Sequence, residues 1–315
     1  MRRQGWEFLR LSIGSCILLA GFLSIWPTDA IARQHDQPTK ATQPLSLDRS
    51  RSDTINPTED REHAADTGLL LGCTMLVLLL TPSLGLFYSG MVRRKNALAT
   101  FQKAFALIAC VTIVWITIGY TLAFAPDRMA GVIGDLRWVG LSVVGQQHIP
   151  GPIPTIPHPL FVVFQLALAI FAAALISGAV ADRMRFGPFL VISVLWILLV
   201  YVPVVHWVMS PTGWLNHWGV EDFGGGLAVH VAAGVSAMVC ARVLGCRIGI
   251  GTEIMPPHNL LLSGVGVTLL GFGWLGWSAG GAYAANETAV SALVATLLAA
   301  AAAELSWGVL EFVLE

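Results

Sequence analysis

The sequence predicts an all-α polytopic membrane protein of about seven transmembrane helices. Composition is the first ground. Of the 315 residues 55% are apolar and only 12% charged, and a soluble domain of this length would carry about twice that share of charge to cover its surface. The second is a succession of apolar runs near the roughly 20 residues that span a bilayer. The third is the placing of Lys and Arg, which alternates between the segments that join those runs. Inside a bilayer only helices or closed barrels satisfy the backbone, and these runs are too long for barrel strands. The net charge of −1 supplies no global attraction to nucleic acid or an anionic surface, so no nucleic-acid partner is expected.

In chain order, residues 1–32 read as a secretory signal peptide. Arg2, Arg3 and Arg10 give a positive start, Leu11 to Trp26 an apolar stretch, and Ala30-Ile31-Ala32 a small-residue cleavage site. An uncleaved first helix is the alternative. Residues 33–66 are rich in Asp, Arg, Thr, Gln, Pro and Ser, and read as a disordered extracytoplasmic linker. The membrane domain is expected over 67–315, with helices at about 67–91, 98–123, 159–181, 187–209, 224–245, 257–278 and 287–312. The first is followed by Arg93, Arg94 and Lys95, the third by Arg183 and Arg185, and the fifth by Arg242 and Arg247; the opposite loops hold only Arg128 and Arg137. The positive-inside rule then places the start of the first helix outside the cell. An exported N-terminus requires the same, in the cell's inner (plasma) membrane.

Small residues are dense within the runs, among them Gly85, Gly90, Ala172–Ala174, Ala232–Gly234, Gly266 and Gly280. Since lipid gives helices no hydrophobic reason to associate, this composition implies a closely packed bundle. Cys16, Cys73, Cys110, Cys240 and Cys246 show no metal-type or disulfide spacing, so neither a zinc site nor a disulfide framework is expected. No cofactor and no enzymatic activity are expected either.

Ionisable groups within spans are informative because each costs roughly 2.5 to 3.5 kcal/mol at the bilayer centre. The fifth helix opens on Asp222-Phe223-Gly224-Gly225-Gly226 and carries His230, about 12 Å deeper along the helix axis. Asp222 is placed to cap the helix by accepting orphan N–H groups, a role compatible with supporting a cation at the entrance. His230 reads either as a functional group or as one satisfied by an interhelical hydrogen bond. His206 and Trp207, at the outer end of the fourth helix, read as interfacial anchors. His258, after Pro256-Pro257, begins the sixth helix, and Asn286 caps the seventh. Glu304 falls in the middle of the seventh after an alanine run, so a partner, protonation or a polar cavity must offset its cost.

Taken together the motifs resemble the Amt/Rh ammonium transporter family. They are Gly85-Leu86-Phe87-Tyr88-Ser89-Gly90-Met91-Val92 with Arg93-Arg94-Lys95-Asn96, Phe164-Gln165, Ala181-Asp182-Arg183-Met184-Arg185-Phe186, Asp222-Phe223-Gly224-Gly225 leading to His230, Pro257-His258-Asn259-Leu260, Gly273-Trp274-Leu275-Gly276 and Ala285-Asn286-Glu287. They occur in family order from about residue 67 to 313. The resemblance implies an eleven-helix fold built on an inverted repeat, of which this chain would hold seven helices. It implies a homotrimer with one pore per subunit, surrounded by membrane lipid, and, by family analogy, a PII-type regulator. The implied substrate is ammonium, with methylammonium as a relative. The ion is attracted by aromatic faces and an aspartate in an outer vestibule, gives up its proton there, and crosses an apolar pore as ammonia past two histidines. Asp222 matches the vestibule aspartate and His230 the first histidine.

Several pore positions depart from the family pattern. The vestibule tryptophan falls on Met209, the inner gate phenylalanine on Leu168 beside Phe164, the second gate phenylalanine on Trp277, and the vestibule serine on Gly281. Met209 and Leu168 have no ring face, which weakens the cation–π contribution. The second histidine belongs to a helix beyond the seventh, so the sequence reads as a C-terminally truncated family member. These departures leave a non-conducting ammonium-binding sensor or regulatory partner as the alternative to transport. A retinal-binding seven-helix protein is excluded because residues 287–315 hold no lysine. No Ser/His or paired-Asp constellation within the spans points to an intramembrane hydrolase.

Overall fold

A computed structural model describes residues 57–142, 144, 153 and 155–314. The expected signal peptide and the linker up to residue 56 lie outside the described residues. Seven helices are long and apolar enough to cross a membrane. They are α1 (Pro57–Met91), α2 (Arg94–Phe124), α3 (His158–Ala179), α4 (Phe186–Met209 including a π-helical turn at Ile197–Tyr201), α5 (Gly226–Leu244), α6 (Leu260–Gly280) and α7 (Glu287–Leu314). Every expected helix is present, and the differences lie at their ends. Helix α1 begins ten residues before the expected start, so the last part of the expected linker is helical. Pro57 can occupy a first helical turn without losing a bond. Asp60 and Glu62 suit the positive end of the helix dipole.

Two units are distinguished among the described residues, 57–296 and 297–314. The first contains the bundle. Helix α3 is its centre, packed by α1, α2, α4 and α5, and its run Ile170–Ala174 is almost wholly buried. The alanines leave no side chain to hold neighbouring helices apart. Helix α6 lies along α1. A Cβ added to Gly273 would stand 2.6 Å from Leu80 Cδ2, and one on Gly266 would stand 2.8 Å from the Ser83 carbonyl. The two backbones approach that closely only because α6 presents glycine there. In the second unit α7 continues as an uninterrupted helix, with Glu304 on its exposed side.

The loops after α1, α3 and α5 meet at one end. The Asp182 carboxylate, whose side chain is fully buried, lies 3.8 Å from Arg93 Nε and 3.6 Å from Arg247 Nη1. It also accepts from Asn96 Nδ2. Arg93 pairs with Glu253 at 3.2 Å, and Arg183 donates to the carbonyls of Ala241 and Gly245 that end α5. Loop α5–α6 is further pinned where His258 donates its N–H to the Val92 carbonyl and Asn259 to that of Gly90. His258 therefore does not begin α6. Asn259 does so as the cap, accepting the Leu262 N–H at 3.1 Å.

At the other end, the segment after α2 folds back over α4. Trp207 Nε1 donates to the Val132 carbonyl at 2.9 Å. His206 is fully buried, with Nδ1 at 2.9 Å from the Ala123 carbonyl and Nε2 at 3.5 Å from Asp127 Oδ1. His206 is thus an internal tie between α2 and α4, not an interfacial anchor. A hydropathy argument places it at membrane depth but cannot see the loop that covers it.

Candidate functional site

The start of α5 places the two polar residues that the sequence marks out. Asp222 accepts the Leu227 N–H at 3.2 Å on one carboxylate oxygen and the Ala228 N–H at 2.9 Å on the other. Its carboxylate thus caps the start of α5 from outside the helix, with both oxygens engaged. Gly225 follows in the left-handed region at φ +76°, a conformation glycine adopts without strain. Helix α5 then opens with a π-helical turn, Gly226–Val231, in which the His230 N–H reaches the Gly225 carbonyl five residues back. Such turns displace a side chain relative to a regular helix and recur at functional sites.

His230 is half-buried and held by aromatic rings. Its imidazole stacks on Trp274 (centroids 5.0 Å apart, planes 16° apart) and on Trp277 (5.0 Å, 25°), while Phe171 meets it edge-on at 6.3 Å. Phe171 also stands edge-on to Trp277 at 5.4 Å. The other part of the site is the face of α3 that carries Phe164, Leu168 and Phe171, at positions i, i+4 and i+7. Phe164 and Leu168 are buried.

Phe164 touches the end of α6, where a Cβ on Gly280 would come within 2.8 Å of its ring. It also stands edge-on to Tyr283 at 5.6 Å. The Tyr283 hydroxyl accepts from Gln165 Nε2 at 2.6 Å. Burial pushes the Tyr283 phenol well above its ordinary range; the Gln165 bond lowers it in part and the Asp222 charge raises it further. Tyr283 therefore stays neutral.

Of the seven residues expected at the site, the structure brings Trp277 to His230, and Met209 and Trp277 to Gly225. A Cβ there would lie 3.5 Å from Met209 Cε and 3.4 Å from Trp277 Cζ2. Gly281 sits against the Phe223 carbonyl, 2.9 Å from where its own Cβ would stand. Phe164 and Leu168 lie on α3 two turns and one turn before Phe171. Sequence reasoning gave Trp274 only as part of a motif, with no role at the site, and passed over Phe171 and Tyr283. The three-residue spacing of Trp274 and Trp277, which puts both on one face of α6, was the available signal. Among the described residues no group of three or more His, Cys, Asp or Glu side chains could hold a metal ion.

Seven apolar spans, a bundle centred on a small-residue helix, and one imidazole stacked on indoles in a helix that an aspartate caps define a polytopic helical membrane protein. The comparisons make this specific. Residues 68–315 match the profile described as the Ammonium Transporter Family, and the chain belongs to that family. It is 47% identical over 250 residues to an ammonium transporter of Bacillus subtilis, which covers 79% of this chain and 60% of that protein. It is 41% identical to an ammonium transporter of Mycobacterium tuberculosis, over 77% of this chain and 55% of that one. Among solved structures it superposes on Saccharomyces cerevisiae Mep2 with a TM-score of 0.72 at 33% identity, covering 79% of this chain and 57% of the other. The chain thus spans somewhat under two thirds of the length of the relatives it matches.

Proposed function

We propose that this chain forms part of a pathway that moves ammonium across the cell's inner membrane, releasing its proton near the outer mouth and passing ammonia through an apolar interior. One observation carries the reading: His230 stands on the faces of Trp274 and Trp277 in the first turn of α5, whose start the Asp222 carboxylate caps, and we read Phe164, Leu168, Met209, Trp277 and Gly281 as the pore wall beside it. A bare cation would lose its hydration there without a counter-charge, whereas a neutral hydrogen-bonding molecule loses far less. Carboxylate and indole faces near the mouth favour the cation's approach. Nothing in this arrangement calls for bond-making chemistry beyond proton transfer, so we read the protein as a transporter and not an enzyme.

Clustering of the basic loops at the Asp182 end supports a cytoplasmic side there and an extracytoplasmic N-terminus. By analogy with the family the working unit is a homotrimer that admits methylammonium and answers to a PII-type regulator. The test is uptake of ammonium into proteoliposomes, read as internal pH or current. Wild-type flux that falls at least tenfold in His230→Ala supports the pathway. Absence of flux with saturable ammonium binding retained would replace it by the sensor reading.

A further inference from the structure

Trp277 has a property that stacking does not use. Its side chain is 97% buried, with 3% exposed, and its indole Nε1 has no hydrogen-bond partner among the described residues. An indole nitrogen can only donate, and a buried donor without an acceptor is uncommon in a folded protein. The ring is fixed on one side by His230 and edge-on by Phe171, so the direction of the N–H is set by packing. The nitrogen lies beside Gly224, in the turn that precedes α5. A Cβ on Gly224 would meet only Trp277 Nε1, at 4.0 Å, so the room beside the nitrogen is kept by the lack of a side chain. The Asp222 carboxylate, two residues before Gly224, is occupied by the N–H groups of Leu227 and Ala228.

We propose that the Trp277 indole N–H is a hydrogen-bond donor site for the lone pair of neutral ammonia, which makes Trp277 a specificity-determining residue that admits the base and not its conjugate acid. The inference rests on the transport reading above and deepens it. Ammonia carries one lone pair and accepts from the indole. Ammonium carries four N–H bonds and no lone pair, so it meets the indole donor with a donor. Potassium, a cation without hydrogens, meets the positive edge of the same dipole. A phenylalanine here would supply the same stacking surface without the donor. The discrimination is therefore placed on the nitrogen and not on the ring. Proton release must precede this point, toward the water at the outer mouth, and Trp277 neither gives nor takes a proton.

The experiment uses the full chain in lipid nanodiscs with 15N-labelled tryptophan, the Trp277 indole resonance being assigned by its loss in Trp277→Phe. Ammonium chloride is titrated at an alkaline pH where ammonia dominates and at an acidic pH where ammonium does, with potassium chloride as control. The expected result is a saturable shift of the Trp277 N–H signal at alkaline pH alone. In Gly224→Ala, whose methyl stands beside the nitrogen, the apparent affinity for ammonia should fall about three- to tenfold, the size of one net hydrogen bond. Melting temperatures check that both variants remain folded. An unmoved signal, or one that moves equally with potassium or with ammonium at acidic pH, overturns the proposal. Uptake measured on the same preparation separates the two claims. Flux without the shift sinks only the Trp277 assignment, and the shift without flux sinks only transport.

Discussion

Gly225 is where a single side chain would disturb the most. Its left-handed φ disfavours any L side chain by roughly 1 to 2 kcal/mol, and a Cβ would also stand 2.9 Å from Val229 Cγ2. Gly225→Ala should therefore lower the melting temperature in detergent and broaden the His230 ring resonances, because the turn that aims the imidazole must shift. Asp127 yields a prediction of another kind. Burial alone would raise its carboxyl, but the N–H groups of Gly131 and Met129 and the His206 ring outweigh that and hold it below the usual carboxylate range. A depressed value in the folded state stabilises above the unfolded pKa and is lost as pH falls through the folded one. The wild type should therefore lose melting temperature below about pH 4 more steeply than Asp127→Asn, which lacks the titrating group. Equal slopes would remove Asp127 from the account. Asp222 and His230 were legible in the sequence because a polar group in an apolar run is costly and must have a reason. Phe171 and Tyr283 were not, since an aromatic residue in an apolar run or a loop is unremarkable until its neighbours across the bundle are known, and Trp274 offered only its spacing from Trp277.

Among the elements, the pairing of α1 with α6 is the most exacting. Gly276→Val should push α6 from α1, because even a Cβ there overlaps the Leu76 side chain. Overpacking of this kind costs about 1 to 3 kcal/mol. The measurable outcome is a lower melting temperature, with a loss no larger than that of an alanine control on the exposed face of α7 counting against the close approach. Hydropathy placed all seven helices because run length and bilayer thickness are the same constraint. It missed the ends, where the cause is local. At α1 good helix formers continue past the apolar boundary into water, and charge hides them from a hydropathy reading. At α6 the residues Pro256-Pro257 delay the start until Asn259 can cap. Within α4 the π-helical turn Ile197–Tyr201 directly precedes Val202 and Pro203. The missing N–H and the ring of Pro203 bar a regular bond to Leu199, and the widened turn absorbs the misfit. Patterning of apolar residues carries no trace of it.

At the scale of the molecule, the joined basic loops make orientation measurable. Asp182 binds the loops after α1, α3 and α5 into one assembly through Arg93, Asn96 and Arg247, so all three must lie on the same side of the membrane. Cys246, beside Arg247, is exposed, while Cys73 is buried and Cys110 and Cys240 are half-buried within spans. A charged, membrane-impermeant maleimide should therefore react with Cys246 in everted vesicles and spare it in intact cells, with Cys246→Ser as the control that removes the signal. Labelling in intact cells would invert the orientation that the Lys and Arg bias implies. The same thiol reports on the assembly. In Asp182→Asn the two guanidinium groups lose their buried counter-charge, and breaking a buried pair costs about 3 to 5 kcal/mol. The loop carrying Arg247 should then open more often, and Cys246 should label faster in everted vesicles than it does in the wild type. An unchanged rate would mean that the backbone bonds from His258 and Asn259 hold the loop without the charges.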